Sequence, residues 1–205
     1  NDSIPNAINF DGPLPTNRNA FFDDPKYASR VMNNNDPYAR YYAFNLAKMP
    51  CLEIRAAMYY ARNAKALLDY AGGERFAGSY ATGSISPLVA LDYAPTKVVG
   101  PGSPDFKPEG NVAKAQSYMD AAKTKCPADY KKATTDGITI DVRQSATLTD
   151  TVPINQAAWA RIGVKVQYNA IAAGYYPTVM NPEKQSDIST SGWSQDWPNA
   201  STVIP

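Results

Sequence analysis

The segment Gly192-Trp193-Ser194-Gln195-Asp196 begins like the strained turn that presents a nucleophilic serine. Its fifth residue is Asp, where that turn needs Gly. The chain contains no histidine, which removes Ser-His-Asp and Cys-His catalysis and the commonest metal ligand. Two cysteines, Cys51 and Cys126, cannot complete a structural zinc site. There is no Walker-type phosphate loop and no G-x-G-x-x-G. Adjacent carboxylates such as Asp23-Asp24 have the composition of an acid–base pair, but loop carboxylates are more often simply solvated. Nothing among these residues supports catalysis. The 14 tyrosines and three tryptophans join apolar bodies to polar tips and suit a ligand surface. For any single tyrosine, a place in the core is the commoner outcome.

The elements that must position such residues are legible from spacing. With 205 residues, 44% hydrophobic and 19% charged, the chain is long enough for one sizeable core and is not of disordered composition. A net charge of +1 without a basic stripe gives no electrostatic footprint for nucleic acid. No apolar run is long enough to span a bilayer. The start, Asn1 to Pro5, lacks a signal peptide's basic and apolar stretches. Residues 1–40, punctuated by Asp24-Pro25 and Asp36-Pro37, read as irregular apart from a short helix near Thr16 to Phe22.

Tyr41 to Leu46 reads as a strand. Glu53 to Tyr70 reads as one amphipathic helix stopped by Gly72-Gly73. Arg75 to Lys107 is loop-like, and Asn111 caps a second helix that runs to Lys125. From there the order is a strand over Gly137 to Arg143, a helix from about Val152 to Ile162, and a strand over Val164 to Tyr168. A short helix at Tyr175 to Asn181 and a last strand over Asp187 to Trp193 complete it. Alternation of this kind predicts an α/β fold, a mixed sheet with helices packed on it.

Three blocks in this order carry a resemblance. They are Tyr41-Tyr42-Ala43-Phe44-Asn45 with Ile54-Arg55-Ala56-Ala57-Met58-Tyr59-Tyr60-Ala61, then Trp159-Ala160-Arg161-Ile162-Gly163-Val164-Lys165-Val166, then Asp187 through Gly192-Trp193-Ser194-Gln195-Asp196-Trp197-Pro198. Together they resemble family 5 solute-binding proteins, which serve oligopeptide, dipeptide and nickel importers. Members are more than twice this long, so the resemblance covers a second lobe only. It implies a periplasmic-binding-protein type II-like lobe over residues 41–205, with residues 1–40 leading from the first lobe.

The resemblance further implies an extracellular or periplasmic receptor, anchored as a lipoprotein and monomeric. Such a receptor captures a peptide by hinge closure and hands it to the membrane permease of an ABC importer, with no nucleic acid involved. In peptide-binding members, the residue matching Asp196 meets the ligand's α-ammonium group. Trp193 would line the cleft, the backbone of Gly192, Ser194 and Gln195 would pair with an extended peptide, and Trp197 would lie near. Tyr175 and Tyr176 are weaker candidates. Against these stand plainer roles: Asp196 capping the turn before Pro198, and Trp193 as a core anchor. Cys51 opens the first amphipathic helix and Cys126 closes the second. An extracellular setting would let them form a disulfide, the alternative being two buried thiols. A metal chelate, a sugar or a protein partner are the competing ligands for the same lobe.

Overall fold

A computed structural model of the chain describes residues 20–31, 39–77, 80, 97, 100–193, 196, 197 and 201, with the backbone alone for 39 and 146–149. Four strands form one mixed sheet: β1 (Ala39–Phe44), β2 (Ile138–Arg143), β3 (Val166–Ile171) and β4 (Ile188–Trp193), in the order β1-β4-β2-β3. β2 runs parallel to β3 and β4, while β4 runs antiparallel to β1. The expected α/β class with a mixed sheet is therefore present. The last of these four strands sits inside the sheet. On β2, Ile138, Ile140 and Val142 are buried on one face as the alternation predicts. Asp141, on the other face, is equally inaccessible.

The helices are α1 (Leu52–Ala61), α2 (Ala64–Tyr70), α3 (Glu74–Ala77), α4 (Val112–Lys125), α5 (Pro127–Lys131), α6 (Ala146–Ala160) and α7 (Tyr175–Val179). The single helix expected over Glu53 to Tyr70 is in fact two. Arg62 leaves the helical conformation at ψ 133°, and the Asn63 side chain accepts a hydrogen bond from Ala66 N at 2.9 Å, capping a new start. Apolar residues keep helical spacing on both sides of the break, so periodicity alone reads through it. The helix expected from Val152 starts at Ala146 instead and carries Pro153 inside it, although Pro favours a first turn. Pro127 opens α5, and a π-type turn over Lys132–Asp136 delivers the chain to β2; neither was foreseen. Of the stretch expected to be loop, Glu74–Ala77 is helical and Gly100–Gly102 is a 3-10 turn. Residues 78, 79, 81–96, 98 and 99 lie outside the described residues.

Contacts fall into two units. In one, made by residues 20–31 with 68–77, Phe22 meets Phe76 edge-on at 4.9 Å and Arg75 pairs with Asp23 at 2.6 Å. Residues 20–23 there are helical, in agreement with the end of the expected helix, whereas 16–19 lie outside the described residues. Asp24 caps the following turn by accepting from Lys26 N at 2.9 Å.

The larger unit holds the sheet. Here α1 packs on α4 through Ile54, Ala57, Met58 and Ala61 against Ala115, Met119 and Ala122. Alanines on both sides let the backbones approach closely. Asn111 caps α4 as expected, accepting from Lys114 N at 3.1 Å. Its own N–H bonds Tyr60 O at 2.7 Å. Arg161 donates to Ala61 O at 2.6 Å and Glu109 O at 2.8 Å, so the terminal carbonyls of α1 are satisfied. The tight corner needs Gly110, whose φ is +93° and where a Cβ would come within 2.6 Å of Ala61 O. A disulfide joins Cys51 to Cys126 with the Cα atoms 6.2 Å apart, as the extracellular resemblance led us to expect. It ties the start of α1 to the end of α4.

The turn entering β4 is held by polar groups. Asp141 Oδ1 accepts from Asn169 Nδ2 and Ser186 Oγ, each at 2.8 Å, and its other oxygen accepts from Ser186 N at 2.7 Å. Asp187 accepts from Thr139 N at 2.9 Å and pairs with Lys132. Asn45, at the end of β1, donates to Pro182 O at 2.8 Å. Replacing Asp141 with Ala removes the buried acceptor of three hydrogen bonds, and should cost about 3 kcal/mol of unfolding free energy. Urea titration of wild type and variant checks this, and a difference below about 1 kcal/mol counts against the role given to Asp141. Reduction of the disulfide, which closes a loop with a sequence separation of 75, should cost roughly 4 kcal/mol on the chain-entropy model. Intact mass after alkylation without reductant should show no modified cysteine.

Candidate functional site

β2 and β4 pair only at Ile140↔Ile188 and Asp141↔Ser189, then part. Tyr175, the first residue of α7 and nearly buried, stands across the gap. Its hydroxyl donates to the Thr190 carbonyl and lies 3.4 Å from the Asp141 carbonyl. The expectation of a helix at Tyr175 is met, and the residue acts as a spacer between the two parallel strands. At their carboxyl ends opens a cavity of about 640 Å³. This is where open α/β sheets ordinarily take ligands, and the volume is that of a small-molecule site.

Two walls of the cavity come from the β1–β4 ribbon. Arg40, Tyr42 and Phe44 face their antiparallel partners Gly192, Thr190 and Ile188 across one surface. Met58, Tyr59 and Arg62 reach it from the end of α1, and Trp159 comes from α6. The Trp159 indole is fixed by a hydrogen bond to Met58 O at 2.9 Å and meets the Tyr42 ring edge-on at 6.0 Å. Arg143, ending β2, lies over the rings of Tyr175 and Tyr176 at 5.6 and 5.0 Å. Arg62 lies 6.0 Å from the Tyr42 ring. Such contacts draw a guanidinium toward the face of a ring.

The residues singled out from sequence separate here. Gly192 is buried and lines the cavity with its backbone. Trp193 pairs across from Ala39, is 46% exposed and does not line the cavity. It is no core anchor. Trp197 is 51% exposed and donates to Ser201 Oγ at 3.1 Å. Asp196 is exposed in a bend. Ser194 and Gln195 lie outside the described residues. Tyr175 and Tyr176 both line the cavity. Arg40, Arg62 and Arg143 were missed in the sequence. Arg143 could have been found from its place at the last position of a parallel strand, where ligand-facing residues collect.

Behind the cavity, Asn155 donates to Tyr42 Oη at 3.0 Å. Its carbonyl oxygen and the Tyr168 hydroxyl are buried without a partner among the described residues. Burial pushes the Tyr42 and Tyr168 phenols up from their ordinary range. Arg62 pulls Tyr42 the other way, and the neighbouring Tyr42 phenol adds to the rise at Tyr168.

Residues 7–205 match the bacterial extracellular solute-binding proteins, family 5 Middle, and the chain belongs to that family. No curated protein matches it. Among solved structures, the Escherichia coli murein tripeptide binding protein MppA superposes with a TM-score of 0.69 at 17% identity, over 93% of this chain and 35% of that one. HbpA2 from Haemophilus parasuis gives 0.65 at 21% identity, over 95% and 35%. The ABC transporter-associated periplasmic binding protein DppA from Helicobacter pylori, in complex with the peptide STSA, gives 0.63 at 16% identity, over 94% and 34%. At these identities the likeness is one of fold. The chain spans about a third of the length of the structures it matches.

The raised phenols give a pH dependence. A group that binds its proton more tightly when folded stabilises the fold fully below its unfolded value. That contribution is lost as pH rises through the folded value. Stability should therefore fall above about pH 10, where unfolded tyrosine ionises. Tyr168→Phe should flatten the fall, as read from urea midpoints between about pH 8 and 12. Equal slopes in the two proteins would remove Tyr168 from the account.

Proposed function

We propose that this chain is the second lobe of an extracellular receptor that captures peptides and delivers them to the permease of an ABC importer. The observation that carries the reading is the tyrosine-lined cavity at the carboxyl ends of β2 and β4, bordered by Gly192, in a chain of the solute-binding family. Names of similar structures point the same way: one is called a murein tripeptide binding protein and another holds the peptide STSA. Aromatic walls of this kind suit side chains of varied shape, since they offer area without demanding particular partners.

In this reading the ligand lies between this lobe and a first lobe, and closes the two by hinge motion. Asp196 meets the α-ammonium group, because a carboxylate in a closed cleft needs a cation. The backbone of Gly192, Ser194 and Gln195 pairs with the peptide main chain as an added strand, while the exposed rings of Trp193 and Trp197 cover it. The receptor acts as a monomer, tethered outside the membrane as a lipoprotein, and carries out no chemistry on its ligand.

Calorimetry with di- to pentapeptides, on this chain joined to a first lobe, tests the reading. Binding is expected, and Asp196→Asn should weaken it by about tenfold to a hundredfold, the worth of one charge-assisted hydrogen bond. A panel in which no peptide binds refutes the peptide reading. Undiminished binding by Asp196→Asn refutes the ammonium contact alone.

A further inference from the structure

The bond between Cys51 and Cys126 lies beside a carboxylate. Both sulfurs and a Glu53 oxygen fall within 4.8 Å of one another. Cys51 immediately precedes α1, and Glu53 stands in the first turn of that helix. Glu53 Oε2 lies 3.6 Å from Cys51 Sγ, while Oε1 accepts from Lys125 Nζ at 2.8 Å. One oxygen is thus held by an ammonium and the other faces the sulfur. The Lys125 hydrogen bond keeps the Glu53 carboxyl below its ordinary range, so the group stays an anionic acceptor.

A structural disulfide is the plain reading, but nothing in it calls for a carboxylate. These cysteines are also held close by more than their bond. Arg55 donates to Met49 O at 2.6 Å and to Pro50 O at 2.8 Å, which fixes the approach to Cys51. Cys126 N donates to Ala122 O and Cys126 O accepts from Tyr130 N, each at 2.9 Å. Between the two cysteines, α1 packs on α4 through Ile54 and Met58 against Ala115, Met119 and Ala122. With the bond opened, two thiols therefore remain side by side at a carboxylate. Their Cα atoms are 6.2 Å apart, which leaves room for the sulfurs to part to about 3.8 Å. That is the sulfur–sulfur edge of a tetrahedron with metal–sulfur bonds of about 2.3 Å, and its sulfur–oxygen edge is about 3.5 Å. The separation of Cys51 Sγ from Glu53 Oε2 is already close to the second value.

Two thiolates and a carboxylate suit a borderline-soft cation such as zinc or cadmium, whereas calcium and magnesium take oxygen ligands. The positive end of α1 favours anions at Cys51 and Glu53. A divalent cation with these three ligands carries one net negative charge, which Lys125 offsets. Two cysteines alone fall short of a closed zinc site. Glu53 brings the protein ligands to three, and water takes the fourth position, as in open, exchangeable sites.

We propose that Cys51, Glu53 and Cys126 bind a zinc-like divalent cation when the disulfide is reduced, so that the bond and the cation occupy one place in turn. The proposal goes beyond peptide capture and does not depend on it. An external dithiol passes its two hydrogens to the two sulfurs and becomes a disulfide itself. The cation then displaces both thiol protons to solvent as it binds. The oxidised pair offers no thiolate, so the disulfide shuts the site.

Metal titration of the 205-residue chain, reduced with dithiothreitol and freed of it by gel filtration under argon, tests this. Cadmium should give thiolate-to-metal charge-transfer absorption that saturates at one equivalent. Zinc should raise the urea midpoint as its free concentration rises, and magnesium should do neither. The unreduced chain should show neither response. Glu53→Gln should weaken cadmium binding at least about tenfold, since even residues that merely support a metal ligand commonly cost that much. The exposed control Glu183→Gln should leave it unchanged. Where reduction alone loosens the fold, zinc is expected to restore the circular dichroism of the oxidised chain. A reduced chain that takes up no cadmium and gains neither stability nor structure from zinc overturns the site. Equal binding by Glu53→Gln also overturns it, because the thiols alone would then account for the affinity. So does equal binding by the unreduced chain, which would place the cation elsewhere.

Discussion

A carboxylate that water does not reach sets the position of β4. Asp141 has no accessible surface, and a charge so placed must be fully hydrogen-bonded or it forces the fold apart. Its acceptors are filled by Asn169 from β3 and by the backbone and hydroxyl of Ser186. The requirement is mutual. β2 buries Asp141 with its acceptors filled only when β3 and the turn before β4 are in place. Asp187, one residue on, repeats the device with Thr139 and Lys132. Once β4 is fixed beside β2, its other edge receives β1 in a six-residue antiparallel register, and the sheet is complete.

The cavity follows from where this grip ends. Polar anchoring acts at the start of β4, so the far end of the strand is free to part from β2, and Tyr175 keeps the two from closing. The walls are then supplied by residues whose main duties are structural: Trp159 braces α1, and Tyr42 is steadied by Asn155. A cavity built this way is rigid on the sheet side because its aromatic groups are already fixed by the core. Such preorganisation lowers the cost of ordering side chains when a ligand arrives.

Much of the architecture was legible because spacing carries it. The strand alternation of Ile138, Ile140 and Val142 and the capping role of Asn111 each follow from residue type and neighbours alone. The break at Arg62-Asn63 was hidden because apolar periodicity continues across it, and only the direction of the Asn63 side chain distinguishes a cap from a helical surface residue. The start of α6 was misplaced because Pro153 mimics a first-turn residue. At the site, the Gly192 segment was found by pattern, and Gly192 does border the cavity. The arginines were not found, because residues as distant along the chain as Arg40 and Arg143 meet only through the sheet order, which no local pattern encodes. Several residues in the family-like blocks prove to be scaffold: Asn45 latches the end of β1, and Arg55 and Arg161 serve carbonyls around α1.

The bond between Cys51 and Cys126 has a further consequence for what proteolysis does to the chain. The loop it closes contains α2, α3 and the whole stretch that leads to α4. A single cut anywhere between those cysteines opens the loop without releasing either piece. The nicked molecule keeps its mass apart from one added water, keeps α1 fastened to α4, and migrates as one species until a reductant is added. For this lobe, damage to the chain and loss of the molecule are separate events.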